Sequence, residues 1–323
     1  MEQRFEGITG QNALKELLCR SMDSGRISHA YIFEGDAGMG KKTLAFSFAR
    51  HLVCEHKTAC RLCRHCKLSM SGNHPDIISL TPDEGKQAVS VDNIRSLYET
   101  VMVKPFSADK KVIIIHGCEK MGAPAQNALL KMLEEPPSYV VFLLLTTNSS
   151  YFLDTVLSRS IKLSLQPYTD EEIRAVLSAN GFQSAADAVI SCADGNVGKA
   201  LSLVSNDTFL SLRDDVIALF SLFFKNKSDL FEITSYFEKN KESAGAILDI
   251  LLSFARELVF LHLGGDSNVN DFDGRDFLDR TTLKGSMAFM NNIIEYKKML
   301  LSNANYSLLV NAFVFSSREV LGW

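Results

Sequence analysis

Long apolar runs are missing from this chain. No stretch reaches the roughly eighteen residues that a membrane-crossing helix requires. The opening Met1-Glu2-Gln3-Arg4-Phe5-Glu6 also lacks the apolar core of a signal peptide, so a cytoplasmic protein is expected. An excess of positive charge is missing too. With 34 Lys and Arg against 38 Asp and Glu, the formal net charge is −4, and no global basic field advertises nucleic acid. Any DNA contact must come from a local patch or a larger assembly. Seven cysteines are odd as disulfides in such a compartment, so clustered ones are read first as metal ligands. What remains is an ordinary globular composition, 46% hydrophobic and 22% charged over 323 residues, enough for two or three domains.

The most informative stretch is Gly35-Asp36-Ala37-Gly38-Met39-Gly40-Lys41-Lys42-Thr43, which follows the apolar run Tyr31-Ile32-Phe33. Strand, glycine-rich turn and helix from about Lys42 through Ala49 nearly fit the phosphate-binding template. Gly35, Gly38 and Gly40 let backbone N–H groups point at one phosphate, the helix N-terminus adds positive potential, and Lys41 would reach the β- and γ-phosphates. The next position should carry a magnesium-ligating hydroxyl, and Lys42 stands there. Thr43 carries a hydroxyl one residue late, rotated by ~100° on the helix.

A second defect concerns the same ion. The run Lys110-Lys111-Val112-Ile113-Ile114-Ile115 reads as a buried parallel strand, and a P-loop ATPase needs acids at its end. The chain continues His116-Gly117-Cys118-Glu119, with Glu119 two or three residues beyond the expected positions. Imidazole is a poor magnesium ligand. His29, before the first strand, reads as a packing or backbone-bonding residue.

Cys54, Cys60, Cys63 and Cys66 place four thiols in a short segment, the last three as Cys-x2-Cys-x2-Cys. Tight turns with two-residue spacers present sulfurs to one ion, which favours a structural Zn2+ site stapling a small insertion. An iron–sulfur cluster is the rival, although no proline follows Cys66 and no second cluster is present. Cys19, Cys118 and Cys192 are scattered and read as packing residues.

Strands and helices alternate up to about Leu165, predicting a parallel sheet covered on both faces. The expected helices run from Asn12 to Ser24, Val91 to Val103 and Ala125 to Glu135. Strands are expected at Ile77–Leu80, Val140–Leu145 and Ile161–Leu165. Gln166-Pro167-Tyr168-Thr169 reads as a hinge. Beyond it only helical periodicity remains: Asp170 to about Asn180, Ala185 to Cys192, a helix opening at Lys199, and a bundle from Phe209 onward. Gly264 to Asp279 reads as a solvated acidic linker. Asp266, Asn268 and Asn270 hint at a calcium loop, but Asp271 and Phe277 stand where Gly and Glu are needed.

The shared order of several motifs has a counterpart. His29-Ala30-Tyr31 before the P-loop, the four cysteines, His74-Pro75-Asp76, Leu129 through Pro137, Thr146-Thr147-Asn148 and Ser158-Arg159-Ser160 together resemble the bacterial clamp-loader subunits of DNA polymerase III. The match runs from about Gly7 to Arg159, with a weaker likeness at Leu301-Ser302-Asn303-Ala304-Asn305. The resemblance implies an α/β P-loop AAA+ domain with a parallel sheet over residues 1–166, carrying the zinc insertion at 54–66. An all-α lid (167–207) and an all-α collar (208–323) follow. It implies assembly with γ/τ-type ATPase subunits and a δ subunit to place a sliding clamp on primed DNA. Arg159 falls on the arginine finger that acts in trans on a neighbour's ATP, with Ser160 replacing the motif's Cys. Asn148 falls on the sensor position, and Gly198-Lys199 stands where active members carry a lid arginine. With Lys42 and His116, this implies a stator-like subunit without hydrolysis, whose ATP or ADP binding is weak or absent. The alternatives are an ATPase-competent subunit or a self-sufficient P-loop ATPase.

Overall fold

The computed structural model describes residues 4–82, 88–183, 187–206, 208–225, 229–265, 272–300 and 305–322. The chain forms two compact units: Met1–Val176 with Asn196–Gly198, and Leu177–Gly195 with Lys199–Trp323.

The first unit is built on β1 (Ala30–Glu34), β2 (Ile77–Leu80), β3 (Lys111–Ile115), β4 (Val140–Thr146) and β5 (Ile161–Ser164). All pair in parallel in the order β2-β3-β4-β1-β5. The three central strands are wholly or nearly wholly buried, which their continuous apolar and β-branched runs predict. Helices α1 (Asn12–Asp23), α2 (Lys41–Val53), α3 (Arg64–Met70), α4 (Val91–Met102), α5 (Ala123–Glu134) and α6 (Asp154–Leu157) fill the connections. One sheet face presents Ile113, Ile115, Phe142 and Leu144 to Ile94, Leu97 and Val101 of α4 and to Leu129, Met132 and Leu133 of α5. Elsewhere in the unit the Tyr31 ring meets Phe48 of α2 edge-on at 5.3 Å. α5 begins with a proline in its first turn and stops ahead of Pro136-Pro137, where the missing N–H groups forbid continuation.

Register places the site. Glu34, the last residue of β1, pairs with Thr146 of β4 and Ser164 of β5. The loop after β1 therefore opens at the carboxyl ends of three strands, where ligands of open parallel sheets bind.

α7 (Asp170–Ala179) leads out of the first unit, and the second is helical. It contains α8 (Asp187–Ala193), α9 (Val197–Val204) from Lys199 onward, α10 (Phe209–Leu222), α11 (Leu230–Lys239), α12 (Ala244–His262), α13 (Leu283–Leu300) and α14 (Tyr306–Val320). α9 starts at Val197, two residues before the expected Lys199. Phe220 anchors the core, with the rings of Phe254, Phe272, Phe277 and Phe289 between 5.1 and 6.1 Å away.

Two of those rings correct an expectation. The acidic stretch is no mere solvated linker, because Phe272 is buried and Phe277 lies against Phe220 and Phe224 from a 3-10 segment, Gly274–Arg280. Asp266, Asn268, Asn270 and Asp271 lie outside the described residues, as do 184–186 and 301–304. Among the described residues no helix is long and apolar enough to cross a membrane.

Candidate nucleotide loop, arginine and cysteine sites

Five consecutive carbonyls of the glycine loop each have a donor. Lys41 Nζ donates to the carbonyls of Gly35 and, at 2.8 Å, Asp36. Asn196 Nδ2 donates to Ala37 at 2.7 Å, the Gly198 N–H to Gly38 at 3.0 Å, and the Tyr168 hydroxyl to Met39 at 3.3 Å. The Gly198 N–H belongs to the first turn of α9, where helical N–H groups lack an internal acceptor, so the Gly38 carbonyl satisfies it. The approach demands glycine on both sides. A Cβ on Gly198 would sit 2.6 Å from Gly38 Cα, and one on Gly38 would sit 2.5 Å from Asn196 Oδ1. Gly38 and Gly40 also hold φ of +87° and +84°, the left-handed region.

The two magnesium defects lie close together. Lys42 Nζ stands 6.0 Å over the Phe46 ring, whose centroid is 6.3 Å from that of His116. His116 Nε2 pairs with Ser79 Oγ at 2.8 Å. Burial, then the Lys42 ammonium, hold the imidazole below its ordinary pKa. Lys41 is lowered by burial against the opposing charges of Glu119 and Asp36.

Glu119 ties the chain after β3 to the end of β4, which spacing alone did not predict. Gly117, at φ +64°, turns the chain into a 3-10 segment, Cys118–Lys120, and the Glu119 carboxylate accepts the Thr147 N–H at 3.1 Å. Sequence reasoning also passed over Glu34. Its carboxylate accepts from Lys162 Nζ at 2.7 Å, the Ser149 N–H at 2.6 Å and the Ser164 hydroxyl at 2.9 Å. Burial works to raise its pKa, but these donors prevail and bring it to about 2. Asn148 caps the turn that follows, accepting the Ser150 N–H at 2.8 Å. Thr43 is exposed in the first turn of α2. Lys199 lies in the helical unit, paired at 3.0 Å with Asp249, which also holds Lys297.

Arg159 follows α6 on the way to β5. Its guanidinium lies 3.3 Å from the Glu134 carboxylate and donates to the Thr155 carbonyl at 3.0 Å, with the side chain 37% exposed.

The four cysteines converge. Their sulfurs all lie within 4.8 Å of one another, with Sγ separations of 3.7 Å (Cys54–Cys60) and 4.0 Å (Cys54–Cys63 and Cys60–Cys66). Four Zn–S bonds of about 2.3 Å in a tetrahedron give sulfur separations of about 3.8 Å, so the donor set fits zinc. The Cys63 N–H points at Cys60 Sγ and the Cys66 N–H at Cys63 Sγ, both at 3.4 Å, which favours thiolates. At Cys54 burial opposes ionisation, but N–H groups of Cys60, Thr58 and His56 hold the thiol below its ordinary pKa. The turn is shaped by Lys57, Ala59 and Arg61, all non-glycine residues at positive φ.

Comparison with known proteins identifies the family. The family description "DNA polymerase III, delta subunit" matches residues 10–169. DNA polymerase III subunit delta′ of Bacillus subtilis (strain 168) is 30% identical over 321 residues, covering 96% of both chains. The chain belongs to the delta-prime family of DNA polymerase III clamp-loader subunits. The delta′ subunit of Escherichia coli K12 is 33% identical over 60% of each chain. Subunit tau of B. subtilis is 30% identical over 80% of this chain and 50% of its own length. Family membership and the five-stranded parallel sheet together make the first unit an AAA+ domain, with a helical C-terminal part.

Proposed function

We propose that this delta-prime family chain is a stator-like clamp-loader subunit that does not hydrolyse ATP itself and lends Arg159 to a neighbour's site. The observation that carries the reading is the state of the glycine loop. Lys41 spends its donors on the carbonyls of Gly35 and Asp36, while Lys42 and His116 stand where a magnesium ligand and its acid are required. A guanidinium supplied in trans neutralises charge developing on a γ-phosphoryl group, and Arg159 stands just past α6, held by Glu134 and the Thr155 carbonyl with its side chain accessible.

Lid (167–207) and collar (208–323) would join the chain to γ/τ-type and δ subunits in the cytoplasm, and the assembly would act on the sliding clamp and primed DNA. Cys54, Cys60, Cys63 and Cys66 would hold a structural Zn2+, closing the coordination shell with protein ligands and leaving no open position for substrate. The deciding experiment is reconstitution of the loader with and without this chain, reading DNA-stimulated ATPase. Assembly that gains nothing from the chain overturns the reading.

The alternative is an ATPase-competent subunit, for which Lys41 and the loop glycines Gly35, Gly38 and Gly40 are in place. Hydrolysis by the isolated chain, abolished by Lys41→Ala, would establish that alternative.

A further inference from the structure

Between the cysteine cluster and the sheet lies a line of polar groups, buried at His65, His74 and Asp76 and exposed at Glu55, that the functional reading leaves unused. His65 and His74 are 7% and 4% exposed, and their rings face each other with His65 Nδ1 2.8 Å from His74 Nε2. The proton positions follow from the ends. The Asp76 N–H donates to His74 Nδ1 at 3.0 Å, so that nitrogen carries no proton. In a neutral imidazole the proton then sits on His74 Nε2 and is donated to His65 Nδ1. His65 in turn carries its proton on Nε2, which lies 3.5 Å from Glu55 Oε1. Every donor along the line points the same way, from Asp76 to Glu55.

The two ends are held differently. Glu55 follows Cys54 and His65 precedes Cys66, so two neighbours of the cluster fix one end. At the other end the Asp76 carboxylate accepts N–H groups from Phe106 at 2.5 Å, Ser107 at 2.9 Å and Ala108 at 2.9 Å, with the Ser107 hydroxyl at 3.3 Å. Its carbonyl accepts the Val112 N–H of β3 at 2.8 Å. The loop so gripped follows α4 and holds Phe106 82% exposed and Val103 64% exposed.

We propose that the cysteine insertion positions the Phe106 loop through the hydrogen-bond line Glu55–His65–His74–Asp76. His65 and His74 are positioning residues here: they orient Asp76, and Asp76 orients the loop. A buried imidazole pair with all four nitrogens engaged has one low-energy arrangement, so a displaced cluster leaves an unsatisfied nitrogen unless Asp76 moves as well. The insertion, sixteen residues before β2 at Arg61, thereby sets the geometry of a loop more than forty residues downstream of it. The line itself rests only on the geometry of these side chains; zinc at the cysteines enters through one arm of the test alone.

The test is amide hydrogen exchange on the full chain, comparing wild type with His65→Phe, which keeps an aromatic ring and removes both nitrogens. The expected result is exchange at Phe106, Ser107 and Ala108 at least tenfold faster, with the amides of α5 and the metal content unchanged. Treating the wild-type chain with a zinc chelator should accelerate the same three amides. Unaltered loop exchange in a folded His65→Phe chain overturns the proposal, whatever the chelator does. Acceleration spread equally over α5 overturns it too, since that is loss of the fold. Should His65→Phe not fold, His74→Phe takes its place with the same two readings. A chain that contains no metal yet shows the His65→Phe effect refutes the zinc assignment and leaves the line standing.

Discussion

The Arg159 guanidinium lies 3.3 Å from the Glu134 carboxylate at the end of α5, with side chains 37% and 53% exposed. An ion pair so accessible to water contributes roughly 0–1 kcal/mol. Arg159→Ala should therefore fold with little loss, which denaturant titration checks. In a reconstituted loader the same substitution should depress DNA-stimulated ATPase, since a finger in trans is worth about a thousandfold or more at the site it serves. Glu134→Gln releases the arginine without removing it, and turnover should be retained. Unchanged turnover in Arg159→Ala would remove the finger role.

The contact between Gly38 and Gly198 leads to a second expectation. A methyl group at either position must displace backbone, because a Cβ on Gly198 would meet Gly38 Cα at 2.6 Å and the Gly38 carbonyl at 2.9 Å. Gly198→Ala should cost about 1–3 kcal/mol, as overpacking generally does. A denaturation midpoint equal to wild type would show that the strap is dispensable. Lys41→Ala should behave differently: on the proposed reading neither the parent chain nor the variant hydrolyses ATP in isolation, which an ATPase assay of both checks.

The legible parts of this molecule are the local ones. The glycine loop and the cysteine turn are written in a few adjacent residues, and backbone geometry brings them together without help from the rest of the chain. The bracing of the loop was not legible. Tyr168 and Asn196 reach Met39 and Ala37 across 129 and 159 residues, and nothing in either stretch marks the partner. The tie from Glu119 to the end of β4 was hidden for a different reason: Gly117, at positive φ, turns the chain after β3 and so lets the Glu119 carboxylate accept the Thr147 N–H. Phe277 escaped because its 3-10 segment carries no α-helical period, and Phe272 because it lies in no helix; the acidic residues around them dominated the reading.

Two titratable groups, buried His51 and partly buried Glu34, make stability depend on acid pH. Burial, then the charge of Arg4, lower His51 from 6.5 to about 4, so the folded chain keeps it neutral while the unfolded chain protonates it. Its contribution is complete above pH 6.5 and is lost as pH falls toward 4. Glu34, lowered from 4.5 to about 2, contributes fully above 4.5 and is lost as pH falls through 2. The difference in stability between wild type and His51→Leu should therefore vary between pH 6.5 and 4. The corresponding difference for Glu34→Gln should vary only below about 4.5. Parallel pH profiles for wild type and both variants would contradict these assignments.

Metal content is the last expectation. Sulfur separations of 3.7 to 4.0 Å match the edge of a Zn–S tetrahedron, and N–H groups already point at two of the sulfurs. Metal analysis of the purified chain should find one equivalent of zinc, and Cys63→Ser should lower it. The same substitution weakens the start of α3, because Cys63 Sγ accepts the Cys66 N–H there. Loss of metal and fraying of α3 should therefore appear together, while β1, β3 and β4, which take no residue from the insertion, keep their exchange protection. Iron in place of zinc would restore the rival cluster chemistry. A chain that bound no metal yet held α3 intact would leave the four sulfurs as packing residues alone.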